Sequence, residues 1–245
     1  MVSERDFLRS YDARQFEQVS VSVDVVLLSV DQGQLFALVL RRGEHPSLGK
    51  WALPGGFVRP TEGLDEAAER VLRDKAGLEH VFLEQLYTFG APQRDPRTRV
   101  ISVAYYALVE LDRFTHAHHA RKDVLAARVH VPWAGEAGGA VSLLEPDGQT
   151  LATAFDHAEI IGAAVKRVRG KLGYAPIGFE LLPEQFTLLE LRHVHEAVLG
   201  RAINKDSFRR TVLTSGLVRP TGKRQRAVGH RPAELFRFQR KEAER

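Results

Sequence analysis

The sequence predicts an α/β chain of two modules: a mixed-sheet sandwich over residues 1–175, then a small basic helix–helix–hairpin domain over residues 176–245. Three observations carry this. Residues 19–30, V-S-V-S-V-D-V-V-L-L-S-V, alternate and then become continuously apolar, as a strand does on entering a core. Residues 56–78 form an amphipathic stretch entered through Gly55-Gly56 and left at Gly77. Charge divides the chain: residues 1–149 hold 17 Lys/Arg against 21 Asp/Glu, a net of −4, and residues 150–245 hold 18 against 10, a net of +8. A basic module joined to a mildly acidic one points to a polyanionic partner for the second.

The elements follow in order. D-Q-G-Q at 31–34 reads as a turn, and residues 35–41 as the returning strand. Trp51 to Pro54 leads into the Gly-Gly turn and the amphipathic helix, with Leu64, Ala68, Val71 and Leu72 on its buried face. Residues 82–89 and 100–109 read as strands joined by the charged, proline-rich loop A-P-Q-R-D-P-R-T-R. Patterning weakens over 111–150. His116, His118 and His119 are close in sequence, but no partner spacing supports a metal site, so a solvated loop is expected there. Residues 155–172 read as a helix with the apolar stripe Ile160, Ile161, Ala164, Val165 and Val168, and residues 173–179, with two Gly and a Pro, as a hinge or junction.

The basic module has the organisation of a winged helix-turn-helix. Thr187 and Glu190 form a capping box for a helix that Gly200 stops. A second helix starts near Asp206, with Phe208, Val212 and Leu213 expected inward and Ser207, Arg209, Arg210 and Thr211 outward. Residues 217–219 and 234–238 can pair as a hairpin whose wing holds Lys223, Arg224, Arg226 and Arg231. A short helix with Ser and Arg near its start can read base edges in a major groove, and a cationic hairpin can meet phosphates. DNA-binding is therefore expected of Ser207, Arg209, Arg210, Thr211, Lys223, Arg224, Arg226 and Arg231.

Composition narrows the class. The chain has 245 residues, 44% apolar and 27% charged, as in ordinary globular domains. With no cysteine it has neither disulfides nor a thiolate zinc site. No apolar run reaches membrane-spanning length and the first residues lack the apolar core of a secretory signal, so a cytoplasmic protein is expected.

Residues 56–78 resemble a Nudix box: Gly56, five residues, Glu62, seven residues, Arg70, then an acidic run closing on Gly77-Leu78. The fold this implies is the Nudix α/β/α sandwich. The family's hydrolases carry Arg-Glu-apolar-x-Glu-Glu, but here the run reads Arg70-Val71-Leu72-Arg73-Asp74-Lys75. Such hydrolysis needs divalent cations held by carboxylates, and the face at 71, 74 and 75 offers one carboxylate and one ammonium. Both modules together resemble the Nudix-related transcriptional regulators, the NrtR family. W-A-L-P-G-G-F-V at 51–58, F-G-A-P-Q-R-D-P-R at 89–97, A-F-D-H-A-E-I-I at 154–161, L-L-P-E-Q-F-T-L-L-E-L at 181–191, F-R-R at 208–210 and R-P-A-E-L-F-R-F at 231–238 carry that resemblance.

The resemblance implies a homodimeric regulator whose first domain senses ADP-ribose or a related nucleotide and whose winged helix binds a palindromic operator, in many members over NAD metabolism. No cofactor and no metal site is expected. Arg41, Arg42, Arg59, Arg94 and Arg97 are the candidate clamps for a diphosphate. Gly55 and Gly56 permit close approach of backbone to phosphate, or simply make a tight turn. Trp51, Phe89 and Tyr105 could stack on a base or belong to the core. Glu62 and Arg70 complete the candidate effector-binding set, with Glu66 or Asp74 as the expected partner of Arg70. Asp156-His157 reads as a helix cap or a ligand pair. Two other readings stand beside the regulator: a Nudix hydrolase with a basic accessory domain, and a nucleotide-binding adaptor that contacts RNA or protein.

Overall fold

A computed structural model of the chain describes residues 3–119, 122–225 and 232–239. A mixed sheet runs in the order β5 (Phe82–Phe89), β6 (Val100–Leu108), β1 (Ser20–Asp31), β2 (Gln34–Arg41), β7 (Val124–His130), β8 (Ser142–Leu144). The short strands β3 (Trp51–Ala52) and β4 (Gly55–Phe57) pair with β2 and β1 respectively. β1 pairs parallel with β6, Ser20 opposite Val100 through Leu28 opposite Leu108. That central position explains why residues 22–30 are buried without a break, because a strand covered on both faces has no side turned to water. Val23, Val25 and Leu27 pack towards α2 (Leu64–Ala76), beside Ala67, Ala68, Val71 and Leu72. Val26, Leu28 and Val30 pack the other way, towards Ile160, Ile161, Ala164, Val165 and Val168 of α4 (His157–Lys171).

Four elements depart from the sequence expectation. A short helix α1 (Glu4–Ser10) precedes the sheet. The segment expected as a histidine-bearing loop is a helix, α3 (Leu111–His119), with Phe114 and Ala117 buried. Strands β7 and β8 occupy the stretch where patterning is weak: Ala126, Ala127 and His130 give β7 little strand propensity, and pairing with β2 supplies what propensity does not.

The junction also differs from an open hinge. Ile177, Gly178 and Leu181 are buried in a 3₁₀ turn, and Val194 and Val198 of α5 (Leu188–Leu199) belong to the same core as α4. The first helix of the basic module is thus packed onto the sandwich. Thr187 forms the expected capping box, accepting from the Glu190 amide at 3.1 Å while Glu190 accepts from the Thr187 amide at 2.6 Å. The second helix of the module, α6 (Lys205–Thr214), and the hairpin of β9 (Val218–Arg224) and β10 (Glu234–Phe238) close a small core of Phe186, Leu188, Leu191, Val218 and Phe236.

His195 on α5 packs edge-on against Phe208 of α6, with ring centroids 5.1 Å apart, and burial pushes its pKa down to about 4. The folded value lies below the unfolded one, so the unfolded chain binds more protons. Stability is complete above about pH 6.5 and falls with pH towards 4, by up to about 1.4 kcal/mol per pH unit. His195→Gln should flatten the curve of urea-unfolding free energy against pH between 6.5 and 4 by about that slope. An unchanged curve would mean that His195 does not titrate against folding.

Candidate ligand cleft and nucleic-acid interface

The cleft is organised around Asp24, the one acid in the β1 apolar run and 6% exposed. Its carboxylate accepts from Ser102 Oγ at 2.5 Å and faces Arg94 Nη2 at 3.4 Å. Arg94 in turn makes a bidentate pair with Asp156, Nε to Oδ2 at 2.9 Å and Nη2 to Oδ1 at 2.7 Å. The Arg94 side chain is 4% exposed, and this pairing outweighs the desolvation that opposes its charge, so its pKa is raised. Gly55 makes the arrangement possible: a Cβ there would lie 2.2 Å from Asp24 Oδ1. His157 accepts from the Leu53 amide through Nδ1 at 2.8 Å, which places the proton of the neutral ring on Nε2, 3.7 Å from Asp24 Oδ1. Burial lowers the His157 pKa despite the neighbouring Asp24 and Asp156.

Around this hub lies a cavity of about 200 Å³ lined by Arg42, Gly55, Gly56, Phe57, Arg94, Asp95, Arg97, Phe155 and His157 among others. The Arg42 guanidinium lies 4.9 Å over the Phe155 ring, and that of Arg97 5.6 Å over Phe57. Arg97 is also held by Asp95 at 2.7 Å, whereas Arg42 makes no ion pair with any described residue and donates Nε to the Pro46 carbonyl at 2.7 Å. Burial, then repulsion from Arg97, lowers the Arg42 pKa. Phe155 has a backbone φ of +49°, a strained conformation for a bulky residue that the cleft holds in place. A second hollow of about 310 Å³ shares Arg42, Ala52, Leu53 and Gly55 with the first and adds Arg41, Lys75, Glu44 and Asp123.

Of the residues expected to bind a ligand, Arg42, Gly55, Gly56, Arg94 and Arg97 line the first cavity and Arg41 the second. Arg59 is exposed and lines neither, and Trp51 packs against the α4-side core. Phe89 packs against that core too, and Tyr105 is buried on the α2 side. Asp24, Ser102, Asp95 and Phe155 were not singled out from sequence. The signal for Asp24 was available, since an acid inside an apolar strand must be paired.

The box helix uses its residues structurally. Arg70 pairs with Glu62, Nη2 to Oε1 at 2.5 Å and Nε to Oε2 at 2.8 Å, and also donates to the Phe57 carbonyl at 3.0 Å. The expected partner Glu66 instead accepts from the Gly63 amide at 2.8 Å at the helix start, and Asp74 lies beside Arg73 at 3.5 Å. The Arg70 hydrogen bond holds the Glu62 carboxyl down at about 2. Val71 is buried in the α2-side core, 3.4 Å from where a Gly56 Cβ would lie. Among the described residues no group of His, Asp and Glu is arranged to hold a metal ion.

In the basic module, Asn204 caps α6 by accepting from the Ser207 amide at 3.0 Å. Phe208 and Val212 turn inward, and Leu213, expected inward, is 42% exposed. Ser207, Arg209, Arg210 and Thr211 form an exposed face, and neither arginine is ion-paired among the described residues. β9 extends further than expected, so Lys223 and Arg224 lie on the exposed end of a strand. Arg226 and Arg231 fall outside the described residues. The described helices include none long and apolar enough to cross a membrane.

Comparison with known proteins fits both modules. Residues 19–140 match the NUDIX domain and residues 178–238 the NrtR DNA-binding winged helix domain. An "ADPR responsive transcriptional repressor NtrR" of Acinetobacter baylyi is 34% identical over 96% of this chain and 88% of its own length. The crystal structure of Shewanella oneidensis NrtR complexed with a 27mer DNA superposes with a TM-score of 0.74 at 33% identity, covering 89% of this chain and 93% of that one. An ADP-ribose pyrophosphatase of Methanocaldococcus jannaschii is 32% identical over 43% of this chain and 58% of its own. A Nudix sandwich joined to this winged helix, with a full-length relative above 30% identity, shows that the chain belongs to the NrtR family of Nudix-related transcriptional regulators.

Proposed function

We propose that the chain is a transcriptional repressor whose Nudix domain binds ADP-ribose and whose winged helix binds a palindromic operator as a homodimer. The observation that carries the ligand reading is the cation set at the cleft. Arg42, without an ion pair among the described residues and stacked on Phe155, is the first candidate for the diphosphate, with Arg97 beside it. Arg94 is committed to Asp24 and Asp156 and serves to shape the cleft. Lys75 stands where the family's hydrolases carry a carboxylate and lines the second hollow with Arg41 and Arg42. An ammonium there attracts phosphate directly and repels the divalent cation that hydrolysis needs. Phe57 and Phe155 offer ring faces to a base or ribose.

Binding without efficient turnover follows from the same residues. Val71 gives up a carboxylate to the core and Glu62 is consumed by Arg70, so Mg²⁺ or Mn²⁺ should add little. Turnover of ADP-ribose at about 1 s⁻¹ or more, an ordinary enzyme rate, would restore the hydrolase reading. Lys75→Glu should weaken ADP-ribose binding in chelator, with part of the loss recovered in Mg²⁺. Equal binding by parent and variant would remove Lys75 from the site.

A duplex enriched by the protein from a random library supplies the operator. ADP-ribose should release it, and linkage requires the operator to weaken ADP-ribose by the same factor, about 5–150-fold for ordinary coupling. Equal affinities in both comparisons would reject ADP-ribose as effector. One recognition helix per chain and a two-fold operator call for a dimer, so a monomeric mass on the selected duplex would reject that part. Action on DNA agrees with a cytoplasmic location.

A further inference from the structure

We propose that Arg169 is the positioning residue through which the ligand cleft and the recognition helix act on each other; this rests on the reading of the cleft as an effector site. α4 joins the two. At its start, Asp156 stands at the N-cap position but makes no capping bond; its carboxylate is given to Arg94 of the cleft. His157, the next residue, faces Asp24 and holds the Leu53 amide. Thirteen residues on, about 20 Å at 1.5 Å per residue, Arg169 reaches the basic module.

Arg169 is 6% exposed and has no carboxylate partner among the described residues. It is held by backbone carbonyls: Nε donates to Val198 O at 2.6 Å, and Nη1 to Gly135 O at 2.9 Å and Trp133 O at 3.3 Å. Its guanidinium lies 4.7 Å over the Trp133 ring, and its pKa is lowered by burial. Val198 O belongs to the last turn of α5, where carbonyls lack helical partners and a cation is favoured. A side chain from α4 thus caps α5 in trans. The fit is close, since a Cβ on Gly200, the left-handed residue that ends α5, would lie 2.9 Å from Arg169 Nη2.

Beyond that contact the chain turns straight into α6. Glu196 of α5 accepts from the Ile203 amide at 2.9 Å, and Asn204 then caps α6. Fixing the end of α5 therefore fixes where the recognition helix begins. The rod itself is firmly seated. Gly162 lies so close to Gly139 O that a Cβ would sit 1.8 Å from it, and Lys171 pairs with Glu84 of β5 at 2.5 Å. A ligand that changes the Arg94–Asp156 pair acts on one end of a rigid element whose other end is tied by three hydrogen bonds to α5 and the 133–135 loop. A buried cation serves that tie better than apolar packing, because directed hydrogen bonds resist the sliding that apolar contact tolerates.

The test is the coupling factor itself, measured on the full chain with ADP-ribose and the selected duplex for the parent, Arg169→Met and Arg169→Lys. Each variant should bind either partner alone within about twofold of the parent, as for a residue remote from both sites. The factor by which one partner alters the other should fall close to one in Arg169→Met and to an intermediate value in Arg169→Lys. Amide exchange should show ADP-ribose altering residues 198–206 in the parent and not in Arg169→Met. An undiminished coupling factor in a folded variant overturns the proposal, as does loss of ADP-ribose binding itself, which would make Arg169 part of the cleft's support. If Arg169→Met does not fold, Arg169→Lys carries the same cycle. If the parent shows no coupling, the effector reading has failed, and the ligand-free protein decides. Faster exchange at residues 198–206 in the ligand-free variant upholds the link from α4 to the recognition helix, and unchanged exchange overturns it.

Discussion

Arg94→Ala should cost about 3–5 kcal/mol of folding stability, the usual penalty for removing one partner of a buried ion pair. The reason is what remains. Asp24 and Asp156 keep side-chain exposures of only 9% and 15%, and both would face the cleft without their cation. At about 2–4 °C per kcal/mol for a chain of this size, the melting midpoint should drop by roughly 6–20 °C. Calorimetry in parallel with Arg94→Ala/Asp156→Asn separates the sources. The double variant removes one stranded charge and should recover part of the loss, so that the two changes are strongly non-additive. ADP-ribose binding should vanish in Arg94→Ala even at temperatures where the protein is folded, because the two carboxylates then repel a diphosphate. A loss below about 1 kcal/mol would place the triad in the class of solvent-screened surface pairs and would undo its role as organiser of the cleft.

That triad also shows where the sequence was readable and where it was not. Alternation and then continuity over residues 19–30 gave a central strand, and the same pattern contained Asp24 as its one acid. What it could not give is the partner, since Arg94 and Asp156 lie 70 and 132 positions along the chain and meet only through the fold. Five arginines looked equivalent as diphosphate clamps; burial and pairing divide them, Arg94 into structure, Arg42 and Arg97 into the cavity, Arg41 into the adjoining hollow and Arg59 onto the surface. Arg70 was assigned by helical spacing to Glu66 or Asp74, but the loop before α2 turns back and brings Glu62 closer. Helical spacing predicts neighbours on a helix and is silent about a loop folded against it. The junction at residues 173–179 shows a related limit, because its buried Ile177 and Leu181 belong to the fold and not to a free hinge. Two glycines and a proline signal a break in regular structure, not mobility, and Gly178 sits where a Cβ would lie 3.1 Å from Leu172 Cδ2 and 3.4 Å from His195 Nε2, a tight fit.

Arg209→Ala and Arg210→Ala should each weaken binding to the selected duplex, and at least one should do so by about 1–3 kcal/mol, or roughly 5–150-fold, with relaxed preference at one base pair. Both side chains are exposed in the first two turns of α6, on a helix fixed by its Asn204 cap and by the inward packing of Phe208 and Val212. A rigid mount allows a bidentate contact with guanine to discriminate, because a wrong base leaves the guanidinium unpaired at a defined place. Lys223 and Arg224 have a different setting. They lie at the exposed end of a two-stranded hairpin, beside Gly222 with a φ of +74° and a register shift in the opposite strand. Such a mount suits phosphate, which tolerates a range of positions. Lys223→Ala and Arg224→Ala should therefore weaken selected and scrambled duplexes alike, and each lost phosphate contact should lower the slope of log K against log salt by about one. Titrations over a salt series on both duplexes distinguish the two behaviours. If the α6 variants lose affinity equally on both duplexes with a shallower slope, α6 is a phosphate-binding element and sequence is read elsewhere. If all four variants bind as the parent does, the DNA surface lies away from α6 and this hairpin.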